Sequence, residues 1–303
     1  MGVLRGTSGD VISPGGFILK KLVLAFIAVA AASGSALAAD MTAPRAYTKA
    51  PGVPAASTYD WSGFYVGGTA GGAFGSFDPS TSTTFLGNNF YFSQVSVPPV
   101  NAAGAQSIKP GGFTGGAEIG YNWQVRNFVV GLEGDIEYLG LAGNASTTAP
   151  YAPPFAASAF TVTSNASTTW LATARGRVGI AANDWLFFAT GGAAFTNLKA
   201  NFGFSDNCFS SGACGPPPNA SEATSISSMK AGFAVGGGVE KAIGQNWTVK
   251  AEYMYVGFGT ITGTGILTGG GQTQPMTHSY DLKANIVRLG INYKFGGPVV
   301  ARY

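Results

Sequence analysis

The 303-residue sequence predicts an all-β fold, an eight-stranded antiparallel up-and-down transmembrane β-barrel with long extracellular loops and short periplasmic turns. Three observations predict it. Strand-length segments alternate apolar residues on one face with charged residues on the other. Short connections between them alternate with long ones. The last segment, from Arg288 to Phe295, alternates up to a terminal aromatic ring, the pattern that marks a barrel for insertion, with Gly290, Tyr293 and Phe295 as its fixed points. A closed barrel satisfies every backbone hydrogen bond inside lipid, so the pattern fixes topology and compartment together.

Taken in order, the chain opens with Lys20 and Lys21, the apolar run from Leu22 to Ala32, and the small residues Ser33 to Ala38. This is the layout of a secretory signal peptide, residues 1–38, with Ala36 and Ala38 framing the cleavage site and an exported chain starting at Ala39. The apolar run falls far short of the roughly 20 residues a spanning helix needs. Residues before Ile18 lack an early basic cluster, which suits an overextended start with initiation at Ile18 or Leu19. Losing Arg5, Lys20, Lys21 and Asp10 takes the charges from 17 basic and 14 acidic to 14 and 13. A near-neutral chain has no basic stripe to track a phosphate backbone, so nucleic acid is not an expected partner. Residues 39–60, with Pro44, Pro51 and Pro54 and no apolar period, read as a flexible periplasmic segment.

The barrel itself is expected over 61–295, with 296–303 as a tail. Its strands are read as Trp61 to Phe74, Phe113 to Trp123, Phe128 to Leu139, Thr169 to Ala181, Trp185 to Phe195, Met229 to Ala242, Trp247 to Phe258 and Asp281 to Phe295. Short turns at 124–127, 182–184 and 243–246 alternate with long connections at 75–112, 140–168, 196–228 and 259–280. The long ones are rich in Gly, Ser, Thr, Pro and Asn and read as loops, although parts such as Thr84 to Val97 could extend strands upward. A ten-strand count stays open if one of them hides a hairpin. Trp123, Phe128, Trp185 and Trp247 flank the short turns, where a ring with one polar handle suits the boundary between hydrocarbon and water.

Period-two reading places Phe128, Val130, Leu132, Ile136 and Tyr138 on one face and Glu133, Asp135 and Glu137 on the other. The next strand opposes Trp170, Ala172, Ala174, Val178 and Ile180 to Arg175 and Arg177. Lys250 and Glu252, and then Arg288 and Lys294, repeat the pattern, while Glu118, Lys230 and Glu240 fall on the polar faces of their strands. Six acids thus face six bases, a balance suited to a paired charge network in a lumen. A soluble sandwich would turn the same faces the other way, with charges outside. The signal peptide, the aromatic girdle and the terminal motif favour apolar residues in lipid. An eight-stranded barrel is only wide enough for its own side chains, which argues against a wide diffusion pore.

Catalysis has little support: His278, beside Ser279, is the lone histidine, lies in the last predicted loop, and reads as solvated. No ligand spacing points to a metal, and no cofactor is expected. The glycine runs at 67–68, 71–72 and 236–238 lack the Lys-Ser or Lys-Thr pair and helix of a phosphate loop and read as strand glycines. Cys208 and Cys214, six apart in a chain bound for an oxidising compartment, are read as a disulfide rather than two free thiols.

Ala39-Asp40-Met41, the opening Tyr59-Asp60-Trp61-Ser62-Gly63-Phe64-Tyr65-Val66-Gly67-Gly68 and the closing 287–295 segment together resemble the small outer-membrane β-barrel proteins of alphaproteobacteria such as Brucella and Bradyrhizobium, often labelled porin family or surface antigen. The resemblance implies an eight-strand barrel with immunogenic surface loops in the cell outer membrane of a Gram-negative bacterium. Some relatives are credited with envelope stability or haem binding. The expected role is envelope structure and surface interaction, with a small-solute porin and an adhesin or haem-binding receptor as alternatives. Expected partners are outer-membrane lipid and lipopolysaccharide, the barrel assembly machinery, and host or neighbouring envelope proteins met through loops. One departure is the tail after Phe295, where insertion signals usually end the protein.

Overall fold

The structure is a computed structural model that describes residues 59–295 except 213, 215 and 216. The signal peptide with Ala36 and Ala38, nearly all of the proline-rich segment, and the tail 296–303 lie outside the described residues.

Eight strands run β1 (Gly63–Ser82), β2 (Gly111–Val125), β3 (Phe128–Pro150), β4 (Ala159–Ala182), β5 (Trp185–Asp206), β6 (Ser221–Ala242), β7 (Trp247–Gly269) and β8 (Gln272–Phe295). Each pairs antiparallel with the next, and β1 also pairs with β8, from Phe64 opposite Phe295 up to Ser82 opposite Thr277, so the barrel closes. Closure removes both sheet edges. One helix, α1 (Val97–Gly104), lies between β1 and β2 with prolines in its first turn, where a missing N–H costs nothing.

Every strand is longer than the sequence predicts, β3, β4, β5 and β7 by nearly twofold, and this corrects the long-loop expectation. Segments taken as loops, such as 140–150, 159–168, 196–206 and 259–280, are almost wholly strand. Only 83–110, 151–158 and 207–220 remain as connections of any length, while β7 and β8 join through Gly270 and Gly271 alone. Both glycines have positive φ, 57° and 75°, as a tight two-residue hairpin turn requires. The physical reason is composition: Thr161, Thr163, Asn165 and Ser167 look loop-like, yet they alternate with inward Phe160, Val162, Ser164 and Ala166. Threonine also suits a pleated surface.

The two halves of the barrel have opposite polarity. In the lower half the outward side chains of β3 are Phe128, Val130, Leu132, Ile136 and Tyr138, and the inward ones are Glu133, Asp135 and Glu137. In the upper half of the same strand, Asn144, Ser146 and Thr148 face out. Phe74, Phe113, Tyr138, Phe195 and Phe233 form an exposed upper ring at the changeover, matching the lower ring of Trp123, Phe128, Trp185 and Trp247. Register shifts at Ser167/Leu171 and at Gly257/Thr260 sit near this level and switch the inward parity of β4 and β7.

Inside, four layers stack from bottom to top. Trp61, Val129, Leu186 and Phe188 close the lower end. Above them comes a belt of charged residues, then an apolar layer that includes Phe77, Leu139, Leu171, Phe202, Met254 and Tyr280. The top layer, with Phe92, Val100, Phe160, Phe204 and Met276, brings α1 and the connections over the barrel mouth.

Candidate functional site

The charged belt is built by cross-strand register. Glu133 stands directly opposite Arg175 and Glu252 directly opposite Arg288, while Glu118 faces Asp135. Arg175 is the hub: it pairs with Glu133 and Glu252 and, at 2.8 Å, with Asp135. Arg177 pairs with Glu240 and approaches Glu133 at 3.8 Å. Arg288 reaches Asp135 at 3.1 Å, Glu252 at 2.8 Å and also Glu137. Lys250 lies 2.5 Å from Glu118, 3.2 Å from Glu133 and 3.4 Å from Glu252. All of these side chains are buried. Taking such charges from water is costly, so each needs several partners.

Two of the twelve predicted members stand outside the belt. Lys294 lies nearer the lower end, where its ammonium bonds the backbone carbonyl of Asp60 and sits 4.5 Å from the Tyr59 ring centroid. Lys230 pairs in register with Thr196, at the height of the apolar layer, and has no ion-pair partner among the described residues. Strand parity correctly gives the face of each lysine but says nothing of its height along the barrel. The belt therefore holds six carboxylates against four cations, not six against six.

Neutral donors take up the excess. Tyr65 donates to Glu133 at 2.7 Å, Thr114 to Glu137 at 2.5 Å, Thr173 to Asp135 at 2.8 Å, Thr248 to Glu240 at 2.5 Å, and the Asn292 amide to Glu240 at 3.1 Å. Of these five, period-two reading of the sequence places only Asn292, on the polar face with Arg288 and Lys294. Thr173 and Thr248 each precede a belt cation by two positions, the signal that would have found them. Gly120 leaves the space Tyr65 occupies, since a Cβ there would collide with the phenol.

Glu118, Glu133 and Glu252 bring carboxylate oxygens within 4.8 Å of one another, close enough to hold a metal ion. The Lys250 ammonium already lies among all three, so the cation of this cluster is part of the chain. The Arg177 guanidinium lies 3.9 Å over the Phe188 ring, joining the belt to the lower apolar layer.

His278 departs from the solvated loop histidine expected of it. It is on β8, fully buried, stacked at 4.6 Å on Phe202, 3.0 Å from the Thr81 hydroxyl and 3.2 Å from Glu222. These residues form a polar pocket of packing between the two upper apolar layers. Cys208 and Cys214 are bonded to each other in the 207–220 connection. At the other end, Tyr293 packs at 5.0 Å on Trp247 and 5.1 Å on Phe295, and Phe295 at 5.6 Å on Phe64. A Cβ at Gly290 would meet Thr69 at 3.4 Å and the Lys250 stem at 3.5 Å, ordinary contact distances.

Comparison with known proteins agrees with this architecture. The 31 kDa outer-membrane immunogenic protein of Brucella melitensis biotype 1 is 32% identical over 281 residues, spanning 91% of this chain and all of that one. The 22 kDa outer membrane protein of Rhizobium leguminosarum bv. viciae is 26% identical over 256 residues, 82% of each chain. The crystal structure of Ail, the attachment invasion locus protein of Yersinia pestis, overlaps 75% of this chain and 99% of that one at 14% identity, but its TM-score of 0.30 carries no argument. Residues 23–295 match the family described as outer membrane protein beta-barrel domain. With eight strands closed in a ring and that match across nearly the whole barrel, the chain belongs to the outer membrane protein beta-barrel family and is an outer-membrane protein.

Proposed function

We propose that the protein is a non-conducting structural barrel that displays a rigid extracellular cap. The observation that carries this reading is the filled interior, in which a charged belt and three apolar layers succeed one another from Trp61 to Met276. An eight-stranded barrel has room for its own side chains and little else. The outward apolar band from Phe128 to Tyr138 has about the 9–11 residues that a tilted strand needs to cross lipid. The longer upper half then stands clear of the membrane, its Ser, Thr and Asn side chains facing the sugars of lipopolysaccharide and neighbouring proteins. The name of the Brucella relative calls it immunogenic, which suits a chain whose cap is held out from the surface. The carboxylates of the belt are taken up by fixed cations and hydroxyls from other strands, so its role is to hold opposite walls together. The aromatic lower end of β8 serves as the segment read by the assembly machinery.

The test is planar-bilayer conductance of the refolded chain, with heat-modifiable gel mobility reporting the folded barrel. A folded, silent barrel is the expected result. Reproducible current steps that change on Arg175→Ala would replace this reading with a narrow porin.

A further inference from the structure

All four upper connections meet in one place. A cavity of about 370 Å³ is lined by Tyr91 and Phe92 from the first, Tyr151 and Phe155 from the second, Phe209 and the Cys208–Cys214 bridge from the third, and Gly270 and Gln272 at the last turn. Five aromatic side chains from three separate connections converge on this one space, Phe92 and Tyr151 being backed by Phe204 of β5 and Phe160 of β4.

Behind them stands a carboxylate with no counter-cation. Asp206, the last residue of β5, accepts the Tyr91 hydroxyl at 2.5 Å and the Tyr151 hydroxyl at 2.8 Å on one oxygen. Its other oxygen accepts the backbone N–H of Ala220 at 2.9 Å and, weakly, of Cys208 at 3.4 Å. No Lys or Arg among the described residues forms an ion pair with it. Four neutral donors hold the anion in place, and its charge is left to act on the cavity through the two phenols. Burial first, and then Asp206, push both phenols well above the usual tyrosine range, so each stays a neutral donor to the carboxylate. Their π faces remain negative, as do those of the phenylalanines.

Aromatic side chains around a cavity with a fixed negative charge behind them match one ligand chemistry above others: an organic ammonium ion whose alkyl groups meet the rings while its charge is balanced at a distance. We infer that this cavity is a binding site for a small organic ammonium cation, quaternary or alkylated, presented at the extracellular tip. The inference goes beyond the structural role proposed above and concerns a cavity left within the top apolar layer of the cap.

The experiment uses the full exported chain in phosphatidylglycerol nanodiscs, which supply no ammonium headgroup, and follows tyrosine ring signals by NMR. Choline is the probe, and dimethylbutanol, its neutral carbon isostere, the control. Saturable choline binding that exceeds binding of the isostere, and falls about tenfold or more in Asp206→Asn, is the expected result. Equal binding of the two compounds, or no binding of either, would overturn the inference. Gel mobility monitors folding, and should Asp206→Asn loosen the cap, Phe155→Ala gives an independent reading: unchanged choline affinity in that variant would overturn it as well.

Discussion

Glu133 and Arg175 are Cα partners in the β3–β4 register and also a buried ion pair, so the strand alignment and the charged belt specify each other. Arg175 serves three carboxylates, and removing it leaves Glu133, Asp135 and Glu252 with fewer partners in a buried space. Arg175→Ala is expected to cost about 3–5 kcal/mol in urea unfolding from lipid vesicles. Lys294→Ala, near the lower end and outside the belt, removes one bond to a backbone carbonyl and strands no carboxylate, so it is expected to cost only about 1–2 kcal/mol. Equal losses would show that the belt does not act as a unit.

The change of polarity along β3 sets a second expectation. Leu132 lies in the middle of the outward apolar band and is 62% exposed, while Ser146 lies on the same outward face above the aromatic ring. Leu132→Arg is expected to destabilise the folded barrel in lipid by roughly 2–4 kcal/mol, whereas Ser146→Arg is expected to fall within about 0.5 kcal/mol of the parent. Folding into vesicles of defined thickness separates them. Similar effects at both positions would mean that the lipid boundary is not at Tyr138.

Strand number, closure and the faces of Glu133, Asp135, Arg175 and Arg288 were legible in the sequence because a period of two is a backbone property and needs no tertiary information. The heights of Lys230 and Lys294 were not, since parity repeats unchanged along a strand. The upper strands were hidden for a different reason. Where Thr161 to Ser167 face water, the outward residues lose their apolar signature and the segment acquires the composition of a loop. His278 follows the same rule: on an upper strand with polar outward neighbours, an inward position has the sequence signature of a solvated loop. The neutral donors Tyr65, Thr114 and Thr248 escaped notice because hydroxyls are common everywhere, and only the charge excess they offset gives them a role.

The cap over the barrel mouth should respond to alkaline pH. Tyr91 and Tyr151 both have their phenols pushed up by burial and by Asp206, and therefore hold their protons more tightly in the folded cap than in an open one. Their contribution is fully present below the ordinary tyrosine value of about 10 and is lost as pH rises through the higher folded values. Ultraviolet titration is expected to show late-ionising phenols, and the Tyr91→Phe/Tyr151→Phe double variant is expected to remove them while the barrel keeps its gel mobility. Ionisation of both phenols near pH 10 in the folded protein would mean that the cap is open to water.

Bonding Cys208 to Cys214 closes a loop with a sequence separation of only six, in the connection that also carries Phe209 and caps Asp206 through the Ala220 N–H. So small a loop restricts the unfolded chain by about 2 kcal/mol at most, far less than closure of the barrel contributes. Its effect is therefore expected to be local. Cys208→Ser/Cys214→Ser should leave the unfolding transition of the strands nearly unchanged while proteolysis within 207–220 of the folded protein accelerates. Limited digestion followed by mass spectrometry measures this directly. Cleavage at an unchanged rate would show that Asp206 and the aromatic packing around Phe204 order the connection without the bridge, whereas loss of the folded barrel would mean that the bridge stabilises the strands rather than the cap.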